Sequence, residues 1–230
     1  MNIVILTGAG ISAESGLPTF RGADGLWEGH RVEDVATPEA FERNPELVQR
    51  FYNQRRAHLV NGAVQPNAAH RALARLENEH SGGVLLVTQN IDDLHERAGS
   101  KNLLHLHGEL LKSRCIICDS RQEILGELSS GTSCAECGTI GSTRPDIVWF
   151  GEMPFYLEEI AGALRQADLF VSIGTSGNVY PAAGFVAMAA SHQARTLELN
   201  LEATSRSFRE RKIGPAGEIV PQWVEEILGT

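Results

Sequence analysis

The chain has 230 residues, of which 42% are hydrophobic, 6% aromatic and 21% charged, enough apolar material for one large domain, or one domain with a small insert, around an independent core. Its formal charge of −9 argues against nucleic acid as the main partner, because neutralising phosphates needs a basic field, although a local basic patch can still attract an anionic ligand. No apolar run reaches the roughly eighteen residues of a membrane span, and the sequence starts almost at once on the apolar run Ile3-Val4-Ile5-Leu6, so the expectation is a cytoplasmic protein with no membrane partner.

In chain order, a buried strand is predicted at 3–7, followed by a glycine-rich turn. A polar, helix- and loop-rich segment fills 20–64 and carries a helix at 45–60. A helix at 68–79 precedes a strand at 84–88. After an irregular stretch come a strand at 146–150, a helix at 157–167, a strand at 169–174, a helix at 181–191, a strand at 196–200 and a helix at 221–228. The strands are rich in Val, Ile or Leu without clean alternation, as in parallel strands buried on both faces. Strands alternating with helices predict an α/β fold, a Rossmann-like parallel sheet with helices on both faces.

The segment 112–144 breaks this rhythm and holds all four cysteines, Cys115, Cys118, Cys134 and Cys137, as two Cys-x-x-Cys pairs separated by fifteen residues. Each pair can grip one side of a tetrahedral zinc while the intervening loop brings the pairs together. Four thiolates close the coordination sphere, so one structural Zn2+ is expected to staple a small ribbon, with no position left open for catalysis. Disulfides are the alternative, and a chain with no signal peptide favours the metal. The domain expectation follows: 1–19, 65–111 and 145–230 form the Rossmann-like unit, while 20–64 and 112–144 are inserts that make up the small domain.

The first strand runs into Gly8-Ala9-Gly10-Ile11-Ser12-Ala13. This fits the G-x-G-x-x-G/A pattern, in which glycines permit a tight turn and close approach to a pyrophosphate at a helix N-terminus. The acidic residue that a dehydrogenase places at the end of a second strand about twenty residues on is missing. That stretch, Phe20-Arg21-Gly22-Ala23-Asp24-Gly25-Leu26-Trp27, resembles a loop, with Arg21 available to a phosphate.

Gly8-Ala9-Gly10-Ile11-Ser12-Ala13-Glu14-Ser15-Gly16 with Pro18-Thr19-Phe20-Arg21 resembles the opening signature of the sirtuins, the NAD-dependent protein-lysine deacylases. Thr88-Gln89-Asn90-Ile91-Asp92, His107-Gly108-Glu109, the cysteine pairs, Phe150-Gly151-Glu152, Gly174-Thr175-Ser176 and Asn200 recur in that family's order, and the whole is most similar to bacterial CobB-type members. The resemblance implies NAD as a consumed co-substrate and acylated lysine in proteins or peptides as the partner. It implies that the acyl oxygen displaces nicotinamide, a histidine deprotonates a ribose hydroxyl, and water completes release of free lysine and O-acyl-ADP-ribose. The cofactor contacts it implies are Gly8, Ala9, Gly10, Ser12, Ala13, Thr19, Phe20, Arg21, Trp27, Gln89, Asn90, Ile91, Asp92, Gly174, Thr175, Ser176, Asn200, Leu201, Glu202 and Ala216.

Asn90 and Asp92 follow a strand at the carboxyl edge where such sheets bind ligands, and can hydrogen-bond ribose hydroxyls and a carboxamide; a helix cap is the plainer reading. His105 and His107 are two apart, so an extended segment would point them the same way. The resemblance selects His107 as the base, a role suited to a reference pKa near 6.5, and leaves His105 as its neighbour; His70 is expected to anchor its helix. Val148 and Phe150 are expected to wall the acyl-lysine channel. Tyr52 and Arg55, three apart on a helix, share a face, and a phenol with a guanidinium suits a carboxylate. The pair resembles that of sirtuins acting on succinyl and malonyl groups, which predicts both deacetylation and desuccinylation. A solvated basic face, with Arg50 and Arg56 nearby, is the alternative. Mono-ADP-ribosyl transfer, a dehydrogenase and a module that only reads acyl-lysine remain as rival functions. Oligomeric state is open, with a monomer favoured.

Overall fold

The structure is a computed structural model that describes residues 1–19 and 27–229. Its larger sheet is parallel and contains β1 (Ile3–Thr7), β2 (Val84–Thr88), β3 (Leu103–His105), β7 (Leu169–Ile173), β8 (Arg195–Asn200) and β9 (Glu210–Ile213), in the spatial order β3-β2-β1-β7-β8-β9. β1 lies at the centre, pairing Ile3 to Thr7 with Val84 to Thr88 on one side and Leu169 to Ile173 on the other. Its five residues are all buried. A strand's side chains alternate between faces, and β1 shows the consequence. Ile3 and Ile5 pack with Leu73, Leu76, Val220 and Trp223, whereas Val4 and Leu6 pack with Ile160, Leu164, Phe170 and Phe185.

The first face is covered by α5 (Ala68–Glu79) and α9 (Ala216–Leu228), the second by α7 (Leu157–Arg165) and α8 (Phe185–Ser191). Three further helices are short: α1 (Ala9–Ser12), α2 (Val32–Val35) and α6 (Leu94–Ala98). A third core is built by α2, α3 (Pro38–Arg43) and α4 (Pro45–Val60), whose Val35, Phe41, Phe51 and Tyr52 meet Leu110, Ile147 and Trp149. Thr37 and Asn44 cap α3 and α4, each followed by proline at the first helical position, where a missing N–H costs nothing.

The smaller sheet is antiparallel, in the order β5-β4-β6, from β4 (Gly108–Cys115), β5 (Arg121–Glu123) and β6 (Thr143–Ile147). The expected parallel strand at 146–150 is therefore corrected. Its first two residues end an antiparallel strand of the other sheet, and Val148 to Phe150 continue as irregular chain. The helix expected at 221–228 begins five residues earlier, at Ala216. Its stripe of Ala216, Ile219, Val220, Trp223 and Val224 is buried at helical spacing, and that burial outweighs the helix-breaking tendency of Pro221 inside it. At 181–191 the first turn is a 3-10 segment, Ala182–Gly184, before α8. No helix among the described residues is long and apolar enough to cross a membrane.

The four cysteines are free and cluster, with Cys115 Sγ 3.7 Å from Cys137 Sγ and Cys118 Sγ 3.7 Å from Cys134 Sγ. All four sulfur atoms lie within 4.8 Å of one another. Zinc–sulfur bonds of about 2.3 Å at tetrahedral angles separate sulfurs by roughly 3.8 Å, whereas a disulfide requires about 2.05 Å. The donors thus fit a closed zinc site of four thiolates, in a segment with little apolar packing of its own: every residue pair joining β5 to β4 is polar or charged, β5 is exposed throughout, and Leu128, bonded to Asn53 of α4, is the buried apolar anchor. Stripping the metal with a chelator is expected to remove one zinc per chain and to raise amide exchange across residues 112–144, while β1 and β7 stay protected; exchange mass spectrometry of the two forms checks this.

Candidate active site

In the large sheet the chain travels outward in one direction through β1, β2 and β3, then returns to the centre and travels the other way through β7, β8 and β9. The connections that leave the carboxyl ends of β1 and β7 therefore lead to helices on opposite faces of the sheet, and the crevice between them is the place where such sheets receive ligands. The turn after β1 meets the exit of β7 backbone to backbone. Gly10 N–H donates to Gly174 O at 2.9 Å and Gly8 N–H to Ile173 O at 3.0 Å. A Cβ on Gly10 would stand 2.7 Å from Gly174 Cα, and one on Gly8 would stand 2.8 Å from Gly174 O. The glycines are thus required by this contact, and their N–H groups are already bonded. Ala9 opens α1, Ser12 ends it, and Ala13 begins the 3-10 turn that follows.

Ser12 ties this turn to the loop after β2. Its hydroxyl donates to Asp92 Oδ2 at 3.0 Å and accepts from Asn90 Nδ2 at 3.1 Å, while His70 Nε2 lies 3.5 Å away. Asn90 Nδ2 also reaches Gly8 O, and Asp92 Oδ1 accepts from Leu94 N–H. The plain capping role is not what the structure shows: Asp93 occupies the cap position of α6 with no side-chain cap bond, Asp92 holds the turn before it through Leu94 N–H, and the Asn90 and Asp92 side chains remain at the crevice in a chain of polar contacts. Burial pushes the Asp92 carboxyl up to about 6, although bonds from Leu94 N–H and Ser12 pull the other way. His70 also closes the start of α5 through Asn67, and burial lowers it to about 4, so it is neutral.

The chain turns at Leu106–His107 between β3 and β4, so the extended segment expected across both histidines ends at His105. Each ring contacts a successive carbonyl of the β2 loop: His105 Nδ1 to Asn90 O at 3.3 Å, His107 Nδ1 to Gln89 O at 3.1 Å. Their second nitrogens differ. His105 Nε2 is bonded to Glu96 at 2.6 Å; burial lowers that histidine, and the Glu96 bond and charge raise it further than burial lowers it. Among the described residues His107 Nε2 has no partner. Because a carbonyl can only accept, Nδ1 of His107 carries the proton and Nε2 presents its lone pair. Burial holds the His107 pKa below the usual histidine value despite the Gln89 bond, so this ring is a neutral base near pH 7.

Across the crevice, Thr175 Oγ1 meets Ser172 Oγ, Asn200 Nδ2 donates to Thr175 O at 2.7 Å, and Ala216 opens α9. Glu14 accepts from Gly217 N–H, tying α9 to the glycine turn. Ser176, Leu201, Glu202 and Thr19 are exposed at this edge; Phe20 and Arg21 lie outside the described residues. Ile91 and Gln89 are half-buried beside Asn90.

Val148 N–H donates to His107 O, so the 148–152 segment hangs from the His107 turn. Trp149 points inward, bonding Tyr52 OH through Nε1 at 3.0 Å, while Phe150 is exposed and Val148 half-exposed. Two residues that no motif marked as partners fix this wall. Arg144, buried over the Trp149 ring at 3.3 Å, grips Glu152 with two bonds of 2.6 and 2.8 Å. Burial works against the Glu152 carboxylate, but Arg144 and Trp149 N–H hold its pKa below the usual range. A further unforeseen residue is His95, buried beneath the crevice with Nε2 3.1 Å from Thr7 Oγ1. Tyr52 and Arg55 do sit side by side on α4; Tyr52 is buried and Arg55 is partly buried, rather than both being presented on a solvated basic face. Burial raises the Tyr52 hydroxyl well above its ordinary value. It lowers Arg55 to about 10, against the pull of Glu28 and Tyr52, so at neutral pH one is a neutral phenol and the other a cation.

The pattern of the Sir2 family matches residues 8–181. An NAD-dependent protein deacylase of Bdellovibrio bacteriovorus is 60% identical over 229 residues, covering 99% of this chain and 97% of its own. One of Escherichia coli is 56% identical, covering 98% and 84%. Among solved structures, a Sir2 homologue in complex with NAD superposes with a TM-score of 0.89 at 40% identity, covering 98% of this chain and 89% of that one. A Sir2 protein bound to a myristoylated histone peptide superposes with a TM-score of 0.75 at 34% identity, covering 98% and 90%. The crevice, the cysteine cluster and these matches together show that the chain belongs to the Sir2 family.

Proposed function

We propose that this protein removes acyl groups from lysine side chains of proteins, with NAD as the consumed co-substrate and His107 as the base. The observation that carries the reading is the neutral His107 ring, its Nδ1–H fixed on Gln89 O and its Nε2 open, next to the buried Ser12–Asn90–Asp92 chain. Bound NAD would supply a glycosidic bond whose cleavage releases nicotinamide and leaves a ribose carbon for the acyl oxygen. The chain's own residues do the rest. Asn90 and Asp92 offer an amide and a carboxylate at the crevice to orient ribose hydroxyls and the carboxamide, held by Ser12 so that they need little reorganisation. His107 Nε2 takes a proton from a ribose hydroxyl. Gly8, Gly10 and Gly174 would shape the floor for the pyrophosphate of bound NAD, and Thr175, Asn200 and Ala216 would border its adenosine end.

Val148 and Phe150 flank the acyl-lysine chain on the open side of a wall braced by Arg144 and Glu152, and backbone groups there pair with an extended peptide. Tyr52 and Arg55 bind the terminal carboxylate of succinyl or malonyl groups, which adds these substrates to acetyl-lysine. The relatives' printed activity as protein deacylases and the acylated peptide bound by a structural neighbour support this reading. The zinc is structural, and a set of unpaired thiols suits a reducing, cytoplasmic compartment.

His107→Ala is expected to lower deacylation on the order of 10²- to 10⁴-fold. Because the base must be unprotonated and its folded pKa is depressed, kcat/KM of the parent rises with pH through a value below 6.5 and is flat from pH 7 to 8; an acid limb above pH 7, or one unchanged in His107→Ala, contradicts the assignment. Arg55→Met is expected to cost succinyl-lysine peptide at least roughly tenfold more in kcat/KM than the matched acetyl peptide, and equal losses refute a carboxylate contact. Asp92 gives a stability test. Its folded pKa lies above the ordinary value, so its stabilising contribution is full at low pH and is lost as pH rises through about 6, on the order of 3 kcal/mol. Asp92→Asn should therefore be inactive yet at least as stable as the parent at pH 8, with the advantage vanishing below pH 4 in urea titrations.

A further inference from the structure

The guanidinium that the proposed function assigns to the acyl carboxylate is already engaged. Arg55 Nη2 lies 2.7 Å from Glu28 Oε2, and the two side chains are 10% and 37% exposed. Nη1 donates to Phe51 O at 2.6 Å, and Nε is buried with no partner among the described residues. Nε and Nη2 form one edge of the planar fork, the edge suited to a two-pronged carboxylate. Glu28 occupies half of that edge and leaves the other half unsatisfied.

Glu28 is put there by a specific piece of chain. Trp27 to His30 form a two-residue turn closed by both backbone bonds, Trp27 N–H to His30 O at 2.9 Å and His30 N–H to Trp27 O at 3.1 Å. Glu28 and Gly29 have φ of 46° and 79°, the paired left-handed geometry of a tight hairpin turn. That region is uncommon for a side chain such as glutamate. The turn is docked on α4 by its flanking rings. Trp27 meets Phe51 edge-on at 4.9 Å and Tyr52 at 6.0 Å, and His30 meets Phe51 at 5.3 Å. Arg55 is enclosed between the Phe51 face, 3.2 Å from its carbon, and Trp27, 5.3 Å away. The same turn thus packs its Trp27 ring on both members of the Tyr52–Arg55 pair and supplies the carboxylate that Arg55 faces.

We propose that Glu28 is a specificity-determining residue: an intramolecular carboxylate that holds Arg55 in the substrate-free enzyme and must be displaced by a dicarboxylic acyl group but not by acetyl. Two carboxylates cannot share one fork edge without like-charge repulsion, and only one can complete the bond to Nε. Glu28 therefore weakens binding of succinyl- and malonyl-lysine relative to acetyl-lysine, and acts through Arg55 alone. This rests on the assignment of Arg55 to the acyl carboxylate.

The test compares one peptide carrying acetyl- or succinyl-lysine, at saturating NAD, with the parent, Glu28→Gln, Arg55→Met and the double variant. Glutamine keeps the side chain's size and removes its charge. Glu28→Gln is expected to lower the succinyl KM roughly threefold to tenfold relative to the acetyl KM, a size set by a partly buried ion pair, with the kcat ratio of the two substrates unmoved. The gain should disappear in the Arg55→Met background. A purely structural role would instead lower Tm and shift both substrates together. No selective change in Glu28→Gln, a selective rise in succinyl KM, or a gain that survives Arg55→Met each overturns the proposal while leaving the Arg55 assignment standing, provided Arg55→Met alone still discriminates against succinyl. If Arg55→Met loses both substrates equally, the assignment itself fails, and the Glu28 proposal with it.

Discussion

The site depends on the approach of two backbones where the parallel sheet reverses its direction of travel. The turn leaving β1 and the chain leaving β7 touch through Gly8, Gly10 and Gly174, closer than any side chain permits. Sheet order puts these two strands side by side, and the apolar layers on both faces hold them in register. The first turn is thereby fixed relative to the loop after β2, and Ser12 can bridge to Asn90 and Asp92. Everything at the crevice is positioned from that bridge outward. The loop carrying Asn90 offers its own carbonyls to His105 and His107, and the His107 turn in turn suspends the 148–152 wall through Val148.

Electrostatics then separates groups that look alike. His70, His95 and His107 are kept neutral by burial, and His105 is pushed toward the cation by Glu96. His95 also has an unpartnered nitrogen among the described residues, but that Nδ1 is sealed in the interior. His107 alone of the four combines neutrality with a free nitrogen at the crevice. Asp92 is held in a place that opposes its charge, a cost to the folded state that is common where a protein positions a group for binding rather than for stability. Arg144 and Glu152 show the opposite arrangement, a fork-to-carboxylate pair with every oxygen bonded, which stiffens the wall.

Much of this was legible in the residues. Runs such as Ile3-Val4-Ile5-Leu6 and Leu169-Phe170-Val171 are buried on both sides, and parallel central strands need that composition. The two Cys-x-x-Cys pairs specified their own cluster because the donor spacing is a property of the chain itself. Other parts were hidden for identifiable reasons. The run from Ile147 to Phe150 is as apolar as a core strand, and nothing in its composition says that its first residue ends an antiparallel strand and that the rest leaves the sheet. β9, Glu210-Arg211-Lys212-Ile213, is an edge strand whose charges protect it from further pairing and also disguise it. The start of α9 lies before a proline that reads as a first helical residue. Arg144 with Glu152, and Glu28 with Arg55, are pairings across space that no local pattern encodes.

The central claim is that the crevice brings a co-substrate's glycosidic carbon to an acyl-lysine oxygen. The most direct measurement is a mass balance by mass spectrometry on zinc-loaded protein, NAD and a single acetyl-lysine peptide, tracing nicotinamide, peptide and acyl group together. The account predicts one nicotinamide released for each lysine freed, with the acyl group recovered on ADP-ribose. Free acetate with intact NAD, or ADP-ribose left attached to peptide or protein, would contradict it.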